Sequence, residues 1–154
     1  MKWILKDIDV LLQSKDYVDT AFVPLIPVAF RDRMKHSVSM GEYTTTLLYE
    51  MERQLHGRTI VVPSFTYLMD EPMEQRLTRL EQWTRKLTDA QFNHVFFITS
   101  DGDWKQEEDK LDAVLIWLPV IPLEHMDDQY KRDIVSEQTK QLLQIVTKKW
   151  QFES

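Results

Sequence analysis

The chain has 154 residues, 43% of them hydrophobic and 11% aromatic, enough for one domain with a proper core that buries roughly 70% of its extended-chain surface. A formal net charge of −6, with Lys and Arg scattered along the chain, excludes nucleic acid as the main partner, since that binding rests on clustered cations. The absence of cysteine excludes disulfides, thiolate nucleophiles and Cys-ligated zinc, while the lack of an apolar leader or of ~18 consecutive apolar residues argues against secretion and membrane insertion and makes the cytoplasm the expected setting.

In chain order, Trp3 to Leu12 carries Leu5, Ile8, Leu11 and Leu12 at helical spacing, with Asp7 or Asp9 able to cap a short helix. The run Ala21 to Ala29 is almost unbroken in its apolarity and suits a strand buried on both faces at the centre of a parallel sheet. Arg31 to Met40 is polar and reads as a connection, after which Gly41 precedes an amphipathic helix from about Glu42 to Leu55. Tyr43, Leu47, Leu48, Met51 and Leu55 share its inner face, and Gly57 is expected to end it in the left-handed conformation.

A second strand is expected over Thr59 to Phe65, with Pro63 near its end where a missing donor is tolerated. Asp70-Glu71-Pro72 opens a helix whose stripe is Met73, Leu77, Leu80, Trp83 and Leu87. His94 to Thr99 is the third strand, and Leu111 to Leu118 the fourth. Only about eleven residues, many of them charged, separate these two, which allows either an antiparallel strand or a parallel one reached through a single turn near Gln106-Glu107-Glu108. Asp127-Asp128 caps the last helix, with Tyr130, Ile134, Leu142, Ile145 and Trp150 on its face.

This β-α-β-α-β alternation specifies an α/β fold: a three-layer helix–sheet–helix sandwich around a mostly parallel sheet of about four strands. Only three glycines are present, no two of them close together, which excludes the glycine-rich phosphate cradles of dinucleotide and Walker sites. Ligands of open α/β sheets bind beyond the carboxyl ends of the strands, so the candidate strand-end pocket comprises Asp32, His36, Asp101, Asp103, Trp104, Glu124 and His125, with Asp70 nearby.

The element order, with Pro24 to Pro27, Gly41, Val61 to Pro63 and the turn Thr99-Ser100-Asp101-Gly102-Asp103-Trp104, resembles the first half of a creatininase-type metal amidohydrolase. The resemblance covers roughly residues 20 to 104 and implies a truncated creatininase-like frame. The metal ligands of that family are not retained: its glutamate position holds Asp32, its histidine positions Met34 and Asp101, and its aspartate position Tyr43. Met34 and Tyr43 are poor ligands for zinc or manganese, which need three or more nitrogen or carboxylate donors. Over nearly its full length, from Met1-Lys2-Trp3 onward, the chain is also similar to the YpiF family of Bacillus proteins, a resemblance that brings no activity with it.

The expected function is therefore non-catalytic, binding to a protein through a pseudoenzyme frame, with no cofactor. Two other readings share the same pocket. One is a metal-dependent hydrolase rebuilt from Asp32, Asp101, Asp103, His36 and His125, and the other a small-molecule sensor. Against both stands the plain role of acidic residues after strands, which cap helices and make turns. Trp104, an aromatic in a charged turn, is expected to fold back over the strand ends, the alternative being a contact anchor for another protein.

Overall fold

The apolar run forms strand β1 (Thr20–Val28), and the other strands are placed by it. The structure, a computed structural model, describes residues 1–153. Helix α1 (Leu5–Gln13) precedes β1; a single 3-10 turn (Arg31–Arg33) and helix α2 (Met34–Gln54) follow it. Then come β2 (Thr59–Val61), β3 (Phe65–Leu68), α3 (Met73–Asp89), β4 (His94–Thr99), a 3-10 segment (Gly102–Lys110), β5 (Val114–Trp117) and α4 (Asp128–Glu153).

The sheet has five strands, and each of its pairings is parallel. On one side β1 pairs first with β2, Thr20 against Thr59, and then with β3, Leu25 against Phe65. On the other side it pairs with β4, which pairs in turn with β5. The expected single second strand is thus split, and a proline explains the split. The Phe22 carbonyl accepts from Val62 N, so by strand alternation Pro24 faces the same neighbour, and Pro24 has no N–H to give to the ladder at that level. Pro27 faces the opposite side, beyond Pro24↔Ile98, the last β1–β4 pair, where no ladder bond is lost.

Alternation divides the core into two layers. Phe22, Val61, Phe96, Ile98 and Ile116 pack under α2 and α4 with Tyr43, Leu47, Leu48, Met51, Leu142 and Val146. Val23, Leu25, Phe65, Tyr67, Val95, Phe97 and Leu115 form the opposite layer with Leu80 of α3 and Trp104, and Ile8 and Leu11 of α1 pack against it. The helix–sheet–helix arrangement is as expected from the alternation of elements.

Four expectations need correction. Helix α2 begins at Met34, well before Glu42, because its inward positions there are Ser37, Met40, Gly41 and Thr44, mostly small or polar residues that carry little hydrophobic signal. Gly41 is not a boundary: a Cβ there would lie 3.1 Å from Ile26 Cγ2, so it lets the helix pass close over β1. Gly57 does not take a positive φ, since the helix is closed by Leu55 N donating to Met51 O and Glu52 O and by Arg58 N donating to Leu55 O. Leu5, Leu12, Tyr130 and Ile145 are exposed; α1 and α4 face the core through Ile8 and Leu11, and through Leu142 and Val146, respectively. The connection left open between β4 and β5 is a parallel crossover made in 3-10 geometry, more extended per residue than an α-helix and so able to cross in a short segment.

Candidate functional site

Because the strands are parallel, the carboxyl ends of β1, β3, β4 and β5 open on the same end of the sheet. The turn after β4 is pinned there by Thr99, whose Oγ1 donates to Leu25 O and accepts from Asp101 N, both at 3.0 Å. Asp101 Oδ1 then accepts from Asp103 N at 3.0 Å, which starts the 3-10 segment and turns Trp104 inward.

Trp104 is fully buried, in edge contact with Phe65 and Tyr67. Its Nε1 donates to the Tyr67 hydroxyl at 2.8 Å, and that hydroxyl donates to Asp101 Oδ2 at 2.6 Å. Burial, reinforced by donation to Asp101, holds the Tyr67 hydroxyl far above its ordinary value. Arg76 completes the group. Its Nε donates to Glu71 O at 2.9 Å and its Nη2 to Met69 O at 2.7 Å, while Nη1 stands 3.9 Å from Asp101 Oδ2 and 3.8 Å from Asp103 Oδ2. Its guanidinium lies 4.6 Å over the Tyr67 ring. Both Asp101 oxygens are thus engaged within the protein, in a closed chain from indole to phenol to carboxylate.

The remaining sequence candidates lie elsewhere. Asp32 is exposed in the 3-10 turn before α2 and His36 in the first turn of α2, and Glu124 and His125 are exposed in the connection from β5 to α4. Lys35 Nζ and His125 Nε2 each lie 3.5 Å from Glu124 Oε1, which ties that connection to α2. Among the described residues, no hydrogen bond or ion pair joins these four to Asp101, Asp103 or Trp104. The chain leaves β1 through Arg31, whose φ of 58° is a left-handed backbone rare for a residue with a Cβ.

A groove of about 850 Å³ runs between α2 and α4. The α2 wall is the stripe Lys35, Val38, Glu42, Thr46, Glu50 and Arg53; the other wall combines Ile121 and Leu123 of the connection with Lys131, Arg132 and Val135 of α4. Tyr43 also lines it, with its hydroxyl buried and, among the described residues, without a hydrogen-bond partner; burial raises that hydroxyl above its usual value.

Among the described residues, one grouping of three carboxylate and imidazole groups is close enough to hold an ion: Asp7, Glu52 and His56, with ligand atoms within 4.8 Å of one another. None of the strand-end candidates belongs to it. Glu52 Oε1 already meets His56 Nδ1 at 2.7 Å and the Met1 amino group at 3.0 Å, and Asp7 Oδ2 accepts from Lys2 N at 2.6 Å. Burial would raise the Glu52 carboxyl, but the hydrogen bonds and charges of His56 and the Met1 ammonium outweigh it and hold the group below its ordinary value.

Sequence reasoning missed Tyr67, Arg76 and the unpartnered hydroxyl of Tyr43. One signal was available: Arg76 sits between Met73 and Leu80 on the inner side of α3, and a cation on an apolar stripe calls for a buried partner.

A family model described as Protein of unknown function (DUF2487) matches residues 9–150. The chain is similar to "Uncharacterized protein YpiF" of Bacillus subtilis (strain 168), 38% identical over 150 residues that cover 97% of this chain and 98% of that one. Among solved structures it is similar to the crystal structure of a sigma-54 interaction domain protein from Enterococcus faecalis, with a TM-score of 0.42 at 10% identity over 90% of this chain and 99% of the other.

Proposed function

The chain belongs to the family described as Protein of unknown function (DUF2487), and from that premise we propose, on the geometry of its own residues, that it is a non-catalytic α/β domain acting by binding to another protein. One observation carries the reading: Asp101, the acidic residue best placed at the strand ends, is buried, with one oxygen accepting from Asp103 N and the other from the Tyr67 hydroxyl, so that its remaining lone pairs are closed off from solvent. A general base or metal ligand needs a lone pair open to substrate or ion. Asp32, His36, Glu124 and His125 are exposed and apart from it, while the groove between α2 and α4 offers a concave surface of the size at which ligands and peptide segments bind.

In this reading the frame is creatininase-like and serves as scaffold; the parallel run of β1, β3 and β4 supports the comparison. The proposed setting is the cytoplasm, supported by the lack of cysteine. Among the described residues, no helix is long and apolar enough to cross a membrane.

Metal content decides against the competing hydrolase. The protein, purified without chelators and dialysed against zinc and manganese, is expected to retain neither in stoichiometric amount. Stoichiometric metal that is lost in Asp32→Ala or Asp101→Ala overturns the binding reading.

A further inference from the structure

The α2 wall of the groove places Lys35, Val38, Glu42, Thr46, Glu50 and Arg53 three or four residues apart, which is one face of a helix. From Lys35 to Arg53 that face runs about 27 Å at 1.5 Å per residue. Opposite it, α4 contributes Lys131, Arg132 and Val135. The long α2 wall, faced by the connection at Ile121 to Glu124 and by the start of α4, fits a third helix in the recognition mode where an amphipathic helix lies in a groove.

Charge says which kind of helix. The lining holds four cations, Lys35, Arg53, Lys131 and Arg132, against three carboxylates, Glu42, Glu50 and Glu124. Glu50 is paired with Arg53 of its own helix and Glu124 with Lys35. Lys131 and Arg132 have no carboxylate partner among the described residues; Arg132 donates only to Gln129. In a chain of net charge −6 this lining has the opposite sign. Val38, half exposed, lies on the same wall as Lys35, and Ile121, Leu123 and Val135 supply apolar contacts opposite. The Tyr43 hydroxyl, 97% buried with its residue and on the groove wall without a partner among the described residues, is a donor in want of an acceptor, and a buried donor left unpaired is costly. A carboxylate satisfies it.

We propose that the groove between α2 and α4 binds an acidic amphipathic helix of a partner protein, with its apolar side on Val38, Leu123 and Val135 and its carboxylates toward Lys131, Arg132 and the Tyr43 hydroxyl. This rests on the binding reading above and names the chemistry of the partner.

The test uses the full chain and two fluorescein-labelled peptides of about 18 residues, matched to the groove length: one amphipathic, with Leu on one face and Glu on the other, and a twin with Lys for Glu. In anisotropy titrations at low salt the acidic peptide is expected to bind about tenfold tighter than its twin. The double variant Lys131→Glu/Arg132→Glu loses about tenfold, and Tyr43→Phe, which keeps the ring and so the packing, loses about fivefold. Equal affinity for the two peptides, or an unchanged affinity in the double variant, overturns the proposal. Sedimentation of the protein alone addresses a second copy as occupant: self-association that the double variant abolishes assigns the groove to this chain itself and overturns it too. Cross-linking of the acidic peptide outside α2 and α4 removes the groove assignment and leaves the binding reading standing, whereas stoichiometric metal at Asp32 or Asp101 removes the binding reading whatever the peptides do.

Discussion

The indole nitrogen of Trp104 donates to the hydroxyl of Tyr67 at 2.8 Å, in a contact from which water is excluded. The phenol is acceptor and donor at once, because it passes its own proton toward Asp101. Tyr67→Phe would therefore orphan a buried N–H and weaken the hold on a buried carboxylate. The expected loss is about 3 kcal/mol, read as a lower urea midpoint. A variant within a few tenths of wild type would show that water or a rearranged side chain takes over.

Arg76 provides the positive charge for the same group. Its removal in Arg76→Met leaves Asp101 beside Tyr67 without compensation, an expected cost of about 3–5 kcal/mol. Asp101→Asn in that background should recover part of the loss, so that the cycle of single and double variants shows a coupling of at least about 1 kcal/mol. Additive losses would mean that the 3.9 Å separation of the charged atoms carries no coupling.

At the opposite end of the sheet, Arg58 makes two hydrogen bonds to Asp19, at 2.9 and 3.1 Å, and stacks 3.9 Å from the Trp150 ring. Burial on its own would raise the Asp19 carboxyl, but the hydrogen bonds from Arg58 and Thr20 and the charges of Arg58 and His94 together leave it below its ordinary value of 3.8. A carboxyl depressed on folding contributes stability that is present above its unfolded value and lost as pH falls through the folded one. Denaturant titrations from pH 5 downward should show wild type losing more stability than Arg58→Met below about pH 4. Parallel curves would exclude the pair as a source of acid sensitivity.

Helix α3 ends in a Schellman motif: Phe92 N donates to Leu87 O at 3.1 Å and Gln91 N to Thr88 O at 2.9 Å. Leu87 and Phe92 both pack against the core, supplying the apolar contact that accompanies the motif. The residue bearing the left-handed backbone is Gln91, with a φ of 72°, where glycine is the usual choice. Gln91→Gly should therefore raise stability by about 0.5–1 kcal/mol, the relief of Cβ strain being partly offset by the greater freedom of glycine in the unfolded chain. A loss of stability would mean that the Gln91 side chain makes contacts worth more than the strain.

How much of this was legible in the sequence depended on where burial signals were strong. The strand His94–Thr99 and the stripe of α3 could be read directly, because their inward positions are large and apolar. The first two turns of α2 could not, since Ser37, Gly41 and Thr44 face inward and small residues at close helix–sheet contacts look like loop. The strand-end residues Asp101 and Trp104 were picked out by position alone. Their partners Tyr67 and Arg76 come from β3 and α3 and meet them only through tertiary packing, which spacing along one chain does not encode. The groove was invisible for the same reason: its walls are two helices more than seventy residues apart.

The position of β1 also bears on how the molecule is made. Once the ribosome has released residues through Leu68, β1 can zip with β2 and β3 under α2, yet its other flank stays bare until β4 emerges some thirty residues later. During that interval an oily, unpaired border is offered to any neighbouring nascent chain, and synthesis that pauses between Met69 and His94 exposes the intermediate most prone to clump.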